Sequence, residues 1–270
     1  MTNKKEPLAL NKSVQPGVLI ISHGSPDPGW AELVDGTVSE LMELLPEGIS
    51  VEAVFLDNQE GRLIQDGIDR LEAQGITEII VIPLFVSSGS THIDEITYAL
   101  GIKNTPEKET DMERLRISAR VFLGVPVHDD PLIAELVWDK VKGLSKRPER
   151  EALVLVGHGS RHDGFRQRWE EGIAALSARI GEISGLAAAD YALLNPDSLR
   201  SQVSRYTEEM GDGVIVAPLF LSAGYFTKRV IPERLKGLQY RYSGEPLLPH
   251  PLVARWMYAQ ILNIMRSVNN

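Results

Sequence analysis

Short runs of branched apolar residues alternate along the chain with longer stretches in which apolar side chains return every three or four positions. In the N-terminal half the runs fall near 17–22, 50–56, 78–84 and 115–122, and the helical stretches near 29–45, 60–74, 92–100 and 131–143. The C-terminal half follows the same scheme. Strands are expected there near 152–157, 187–194, 213–219 and 245–248, with helices near 164–181, 197–210, 226–238 and 251–266. A run such as Val18-Leu19-Ile20-Ile21 has no polar alternation, which predicts a strand buried on both faces, as in a parallel sheet covered by helices. Strand–helix alternation then calls for right-handed crossovers and a doubly wound layer order. Asp130-Pro131 and His250-Pro251 set a capping candidate before a proline at the first helical position, so His128 and His250 read as loop residues at helix starts. The polar stretch 105–114 reads as an exposed excursion.

The chain also repeats itself. Val18-Leu-Ile-Ile-Ser-His23-Gly24-Ser25 returns as Leu153-Val-Leu-Val-Gly-His158-Gly159-Ser160. Ile79-Ile-Val-Ile-Pro83-Leu-Phe-Val-Ser-Ser-Gly89 returns as Val214-Ile-Val-Ala-Pro218-Leu-Phe-Leu-Ser-Ala-Gly224. His23 and His158, like Pro83 and Pro218, stand 135 positions apart, and two motifs in one register mark an internal duplication. The expected architecture is α/β: two tandem doubly wound parallel-sheet domains, 1–145 and 146–270, joined in the Gly-, Lys- and Pro-bearing stretch 143–150 and packed around a shared cleft.

Composition narrows the function classes. There is no cysteine, so disulfides, zinc–thiolate sites, iron–sulfur clusters and cysteine nucleophiles are excluded. Lys and Arg number 28 against 37 Asp and Glu, a net charge of −9, and no long basic footprint for nucleic acid is present. The longest apolar run, 79–86, contains Pro83 and is too short to span a bilayer, and the N-terminal segment lacks the apolar core of a signal peptide. No nucleic-acid or membrane partner is expected, and the cytoplasm is the expected location.

Ligands in open α/β sheets bind beyond the carboxyl ends of the strands. His23 stands directly after the first strand, Asp57 after the second, and His92 opens the helix that follows the third. Two imidazoles and a carboxylate suit a divalent first-row metal, and Glu95, one helical turn from His92, adds a fourth candidate. Each has a plainer alternative: hydrogen-bonding histidines, a helix cap for Asp57, a solvated first-turn acid for Glu95. In the second copy His158 keeps its place, but Asn195 stands for Asp57 and Phe226-Thr227 for His92, so that rim cannot form the same site. Lys228 and Arg229, with Arg161, Arg166 and Arg168, would suit a multiply carboxylated ligand, unless they are solvent-facing helix charges. The serine-rich turn with Ser88, Gly89 and Ser90 offers backbone N–H groups to anions.

His-Gly-Ser after the first strand, Pro-Leu-Phe-(Val/Leu)-Ser-(Ser/Ala)-Gly after the third, and their tandem order resemble the sirohydrochlorin chelatases, across nearly the whole chain from Gly17 to Ile264. The resemblance implies ATP-independent insertion of Co²⁺ or Fe²⁺ into sirohydrochlorin, for cobalamin or siroheme synthesis, with Ni²⁺ also chemically suited and no organic cofactor. It places the metal and proton-handling roles on His23, His92 and Asp57, while Ser88, Gly89, Ser90, His158, Lys228 and Arg229 are the substrate contacts expected from the residues themselves. The family's acid is typically Glu where this chain has Asp57, and His92 comes one residue later than the usual Gly-Gly-His spacing. A monomer is expected, since duplication supplies both halves of the cleft. Three other readings stay open: a non-catalytic carrier of metal or tetrapyrrole, a His-dependent phosphohydrolase, and a serine hydrolase using Ser25 or Ser160. The phosphohydrolase reading lacks the Arg that such enzymes place before the His, where Ser22 and Gly157 stand. The hydrolase reading lacks the Gly-x-Ser-x-Gly elbow.

Overall fold

In the computed structural model, which describes residues 16–268, the first apolar run forms β1 (Gly17–Ser22), with every residue buried. Helix α1 (Pro28–Leu44) follows, started by Asp27, whose carboxylate accepts from the Gly29 N–H at 3.0 Å. Then come β2 (Val51–Phe55), α2 (Ile64–Ala73), β3 (Glu78–Pro83), α3 (Thr91–Ala99), β4 (Arg120–Leu123) and α4 (Pro131–Val141). The second half runs β5 (Ala152–Gly159), α5 (Asp163–Ser184), β6 (Ala188–Asn195), α6 (Leu199–Met210), β7 (Val214–Pro218), α7 (Ile231–Arg234), β8 (Arg241–Tyr242) and α8 (Pro251–Val268). Both sheets have four parallel strands, in the orders β2-β1-β3-β4 and β6-β5-β7-β8. The same order in both is the duplication seen in three dimensions. The strand order reverses beside β1 and again beside β5, and the crevice at such a point is where this fold binds ligands.

Residues alternate faces along each strand. Leu19 and Ile21 join Ile68 and Leu71 of α2 on the outer side of the first sheet. Val18 and Ile20 turn inward to a core that also holds Leu153 and Leu155 of β5. The two halves thus share one apolar interior. Their last helices are exchanged across it: α8 packs on α1, α4 and β3, whereas α4 packs on α5 and β7. Gln260 of α8 secures the exchange. Its carbonyl accepts from the Val125 N–H at 2.8 Å and its amide donates to the Val125 carbonyl at 3.0 Å. The 145/146 boundary separates the sheets in sequence, while each sheet is completed by a helix from the other half.

Three expectations need correction. The strand at 245–248 is instead the two-residue β8, Arg241–Tyr242, with Leu247 and Leu248 buried beyond it and bonded to the Phe220 and Leu221 carbonyls. The strand at 115–122 is the shorter β4, because only Arg120–Leu123 pairs with β3. The helix at 226–238 begins as a wide π turn, Phe226–Val230, and ends at Arg234. Pro232 has no N–H to give the carbonyl one turn back and its ring crowds that carbonyl, which disturbs regular α geometry. Among the described residues no helix is long and apolar enough to cross a membrane. Residues 1–15, which carry the expectation about a signal peptide, lie outside the described residues.

Candidate functional site

His23 leaves the end of β1 and His92 lies in the first turn of α3, just past β3, so the two flank the crevice of the first sheet. Their rings meet edge to face, with centroids 4.6 Å apart and planes at 77°. Each ring is held by its Nδ1. In His23 that nitrogen lies 2.6 Å from the Gly24 carbonyl, which can only accept, so Nδ1 carries the proton. In His92 Nδ1–H donates to Glu95 Oε2 at 2.8 Å, and the other Glu95 oxygen accepts from the Thr110 hydroxyl at 3.2 Å. Both Nε2 lone pairs are left for an ion. This is the usual arrangement of metal-ligating histidines, whose second nitrogen bonds a carboxylate or carbonyl that sets tautomer and orientation. The turn after His23 is tight. A Cβ on Gly24 would lie 1.8 Å from the Asp57 carbonyl oxygen, so a glycine is required for β1 and the β2 loop to approach this closely.

The second sheet presents a matching pair with one member changed. His158 Nδ1 lies 3.0 Å from the Gly159 carbonyl, and Phe226 occupies the edge-to-face place, with centroids 5.0 Å apart and planes at 85°. Asn195 backs Gly159 as Asp57 backs Gly24, its carbonyl 2.1 Å from where a Cβ would stand. Both pairs open into one cavity of about 740 Å³ between the halves. Trp30, Phe85, Trp169, Phe220 and Tyr225 supply aromatic wall, and Lys108 and Arg161 supply cationic edge. That volume suits a large, flat organic ligand with charged margins.

Of the residues singled out in the sequence, His23, Ser25, Gly89, Ser90, His92, His158, Ser160, Arg161, Asn195, Phe226 and Thr227 line this cavity. Asp57 does not. Its carboxylate lies 3.8 Å from His23 Nδ1, behind the ring rather than beside its free nitrogen. Glu95 likewise sits behind His92, with one oxygen on His92 Nδ1 and the other on the Thr110 hydroxyl. Among the described residues no group of three or more His, Asp or Glu side chains is placed to hold one ion. Three of the expected substrate contacts, Ser88, Lys228 and Arg229, lie off the cavity wall. Ser88 gives its carbonyl to Arg168 Nε at 3.3 Å, and Arg229 pairs outward with Glu233 at 2.9 Å. Of the π turn, Phe226 and Thr227 line the cavity.

Lys108 escaped the sequence reading because its segment looked like free excursion. Asp94, buried in the first turn of α3, folds that segment back. Its carboxylate accepts from the Glu107 and Lys108 N–H groups at 2.8 and 3.2 Å and pairs with Lys103. An aspartate at that helical position facing a charged excursion was the available signal. Glu107 then reaches Arg168 of α5 at 2.9 Å, and this hydrogen bond holds its carboxyl below the usual range while tying the two halves at the cleft mouth.

The CbiX family model matches residues 17–144 and, separately, 152–264. The chain belongs to the CbiX family. One relative is the sirohydrochlorin cobaltochelatase of Methanothermobacter thermautotrophicus, 30% identical over 138 residues, covering 49% of this chain and 94% of that one. Another is the sirohydrochlorin ferrochelatase of Bacillus subtilis, 24% identical over 219 residues, covering 80% of this chain and 78% of that one. Among solved structures, SirB from Bacillus subtilis with Fe³⁺ superposes with a TM-score of 0.74 at 18% identity, over 93% of this chain and 96% of that one, which shows a common fold. The two CbiX segments coincide with the two sheets, and the imidazole pair belongs to the first of them.

Proposed function

We propose that this protein inserts a divalent metal, Co²⁺ or Fe²⁺, into sirohydrochlorin. One observation carries the reading beyond family membership: two imidazoles, each engaged at Nδ1 and so left with Nε2 as its unprotonated nitrogen, line a cavity large enough for a tetrapyrrole. Insertion exchanges a dication for two pyrrole protons, so a suitable site holds its ion loosely and on the substrate side. Two nitrogen ligands leave most coordination positions to water, and incoming pyrrole nitrogens replace those waters one by one. A closed four-ligand cage would keep the ion. Neutral nitrogen donors without thiolate accept Co²⁺, Fe²⁺ and Ni²⁺ alike, and affinity alone does not choose among them.

The macrocycle would lie against the aromatic wall, with its carboxylate margin toward Lys108 and Arg161, whose side chains are exposed at the cavity edge. Both walls come from one chain, so the site is complete in a monomer. The deciding experiment is an anaerobic insertion assay with sirohydrochlorin and, in parallel, Co²⁺, Fe²⁺ and Ni²⁺, followed by absorbance. Insertion above the protein-free rate supports the reading. A rate equal to that control overturns it, and tight binding of metal and tetrapyrrole without turnover would mark a carrier instead.

A further inference from the structure

Metal insertion has to release two protons, and the imidazole pair is poorly placed to take both. While His23 and His92 hold the ion, their Nε2 lone pairs are spent on it, and a coordinated nitrogen cannot accept a proton. A second base, kept free of metal, would let a pyrrole nitrogen lose its proton before the ion is surrendered.

The second sheet supplies such a group. His158 is held as His23 is, with Nδ1 near the Gly159 carbonyl and Nε2 therefore the unprotonated nitrogen. It lines the same cavity from the opposite half of the molecule. What its surroundings lack is the second imidazole and the carboxylate that accompany His23. Phe226 stands where a second imidazole would, edge-on at 5.0 Å, and Asn195 stands where a carboxylate would. A lone imidazole against a phenyl ring holds a dication weakly, so its lone pair stays available. Phe226 is itself stacked on Phe220, centroids 5.6 Å apart and planes at 19°, which steadies the ring beside His158. Besides His23 and His92, the other titratable groups on the cavity wall are Lys108, Arg161, His162 and Tyr225, all exposed. The cationic Lys108 and Arg161 have no lone pair for a proton, so a proton taken by His158 passes to water in the open cavity.

Building on the chelatase reading, we propose that His158 is a catalytic residue that accepts a pyrrole proton while His23 and His92 deliver the metal. The pyrrole N–H bond breaks and leaves its electron pair on nitrogen. That pair forms the nitrogen–metal bond, and the proton forms a new N–H bond at His158 Nε2 before passing to water. The second proton leaves to an imidazole of the first pair once that imidazole has released the ion. One dication enters, two protons leave, and no electron is transferred. On this account the duplication divided the work: one copy keeps two imidazoles for the metal, and the other keeps one for the proton.

The test compares the full-length wild type with His158→Ala and His158→Gln in the anaerobic Co²⁺ assay, with and without added imidazole, and measures Co²⁺ binding separately by calorimetry. Both variants are expected to lose about 100-fold in kcat, the lower end for a positioned proton acceptor, with KM and Co²⁺ affinity within about two-fold of wild type. Added imidazole is expected to restore part of the lost rate to His158→Ala. A wild-type rate in the variants overturns the proposal. So does a loss in His158→Ala that imidazole does not relieve, or a loss in either variant matched by weaker Co²⁺ binding. A wild type that inserts no metal refutes the chelatase reading itself, which sets that failure apart from the others.

Discussion

An imidazole that donates from Nδ1 to a fixed acceptor has its other lone pair aimed by that bond, so the acceptor matters to the metal without touching it. Glu95 bonds His92 at Nδ1 and the Gly24 carbonyl bonds His23 there, which is the support these rings would have as the proposed metal ligands. His23→Ala and His92→Ala are each expected to reduce insertion to the protein-free rate, because one imidazole alone retains too little metal at the cavity; the same assay reads this. Glu95→Ala is expected to weaken Co²⁺ binding by about 10- to 100-fold, the usual effect of removing such a support, as measured by calorimetry. Asp57→Asn is expected to do less, since Asp57 lies 3.8 Å from His23 Nδ1 and the Gly24 carbonyl already holds that nitrogen. The convergence of His23 and His92 was legible in the sequence because both follow strands, and strand ends converge wherever a parallel sheet forms. Which nitrogen each ring would offer was not, because that depends on a carbonyl and a carboxylate placed by the folded loops.

At the scale of elements, the crossing of α4 and α8 ties the halves together. Trp256 of α8 is buried in the core that also holds Ile20 of β1 and Leu155 of β5. Trp256→Ala is expected to cost about 3–5 kcal/mol, in the range for truncating a buried aromatic side chain. It should lower the midpoint of a single unfolding transition. Two separated transitions in a denaturant titration would show that the halves fold independently. Amphipathic periodicity predicted both helices closely, at 131–143 and 251–266, but an apolar stripe states only that a face is buried. It does not name the sheet that covers it. The excursion at 105–114 shows the same limit, since its path over the cleft is set by Asp94, a residue outside the segment.

Across the whole molecule, the chain passes from one half to the other through a connection fastened at Glu151. Burial alone would push this carboxyl up. The Ser145 hydroxyl, the N–H groups of Lys146 and Arg147 and the Arg241 guanidinium together outweigh burial and hold it at about 2, down from 4.5. Because the folded value lies below the unfolded one, the stabilisation is full above about pH 4.5 and disappears as the pH falls toward 2; it amounts to about 3 kcal/mol. Glu151→Gln is expected to be less stable at neutral pH and to show a flatter loss of stability between pH 5 and about 2 than the wild type, measured by denaturant titration across pH.

By itself, the sequence determined the duplication, the parallel α/β class and the rim on which His23, His92 and His158 sit. These follow from local patterns: apolar runs, their period, and two motifs repeated in one register. Only the tertiary structure decided that Asp57 and Glu95 stand behind the rings, that Lys108 and Phe226 face the cavity while Lys228 and Arg229 do not, and that each half closes with the other's last helix. Those outcomes depend on which surfaces meet and on the direction of single bonds after the chain has packed, and neither is encoded within any one stretch of residues.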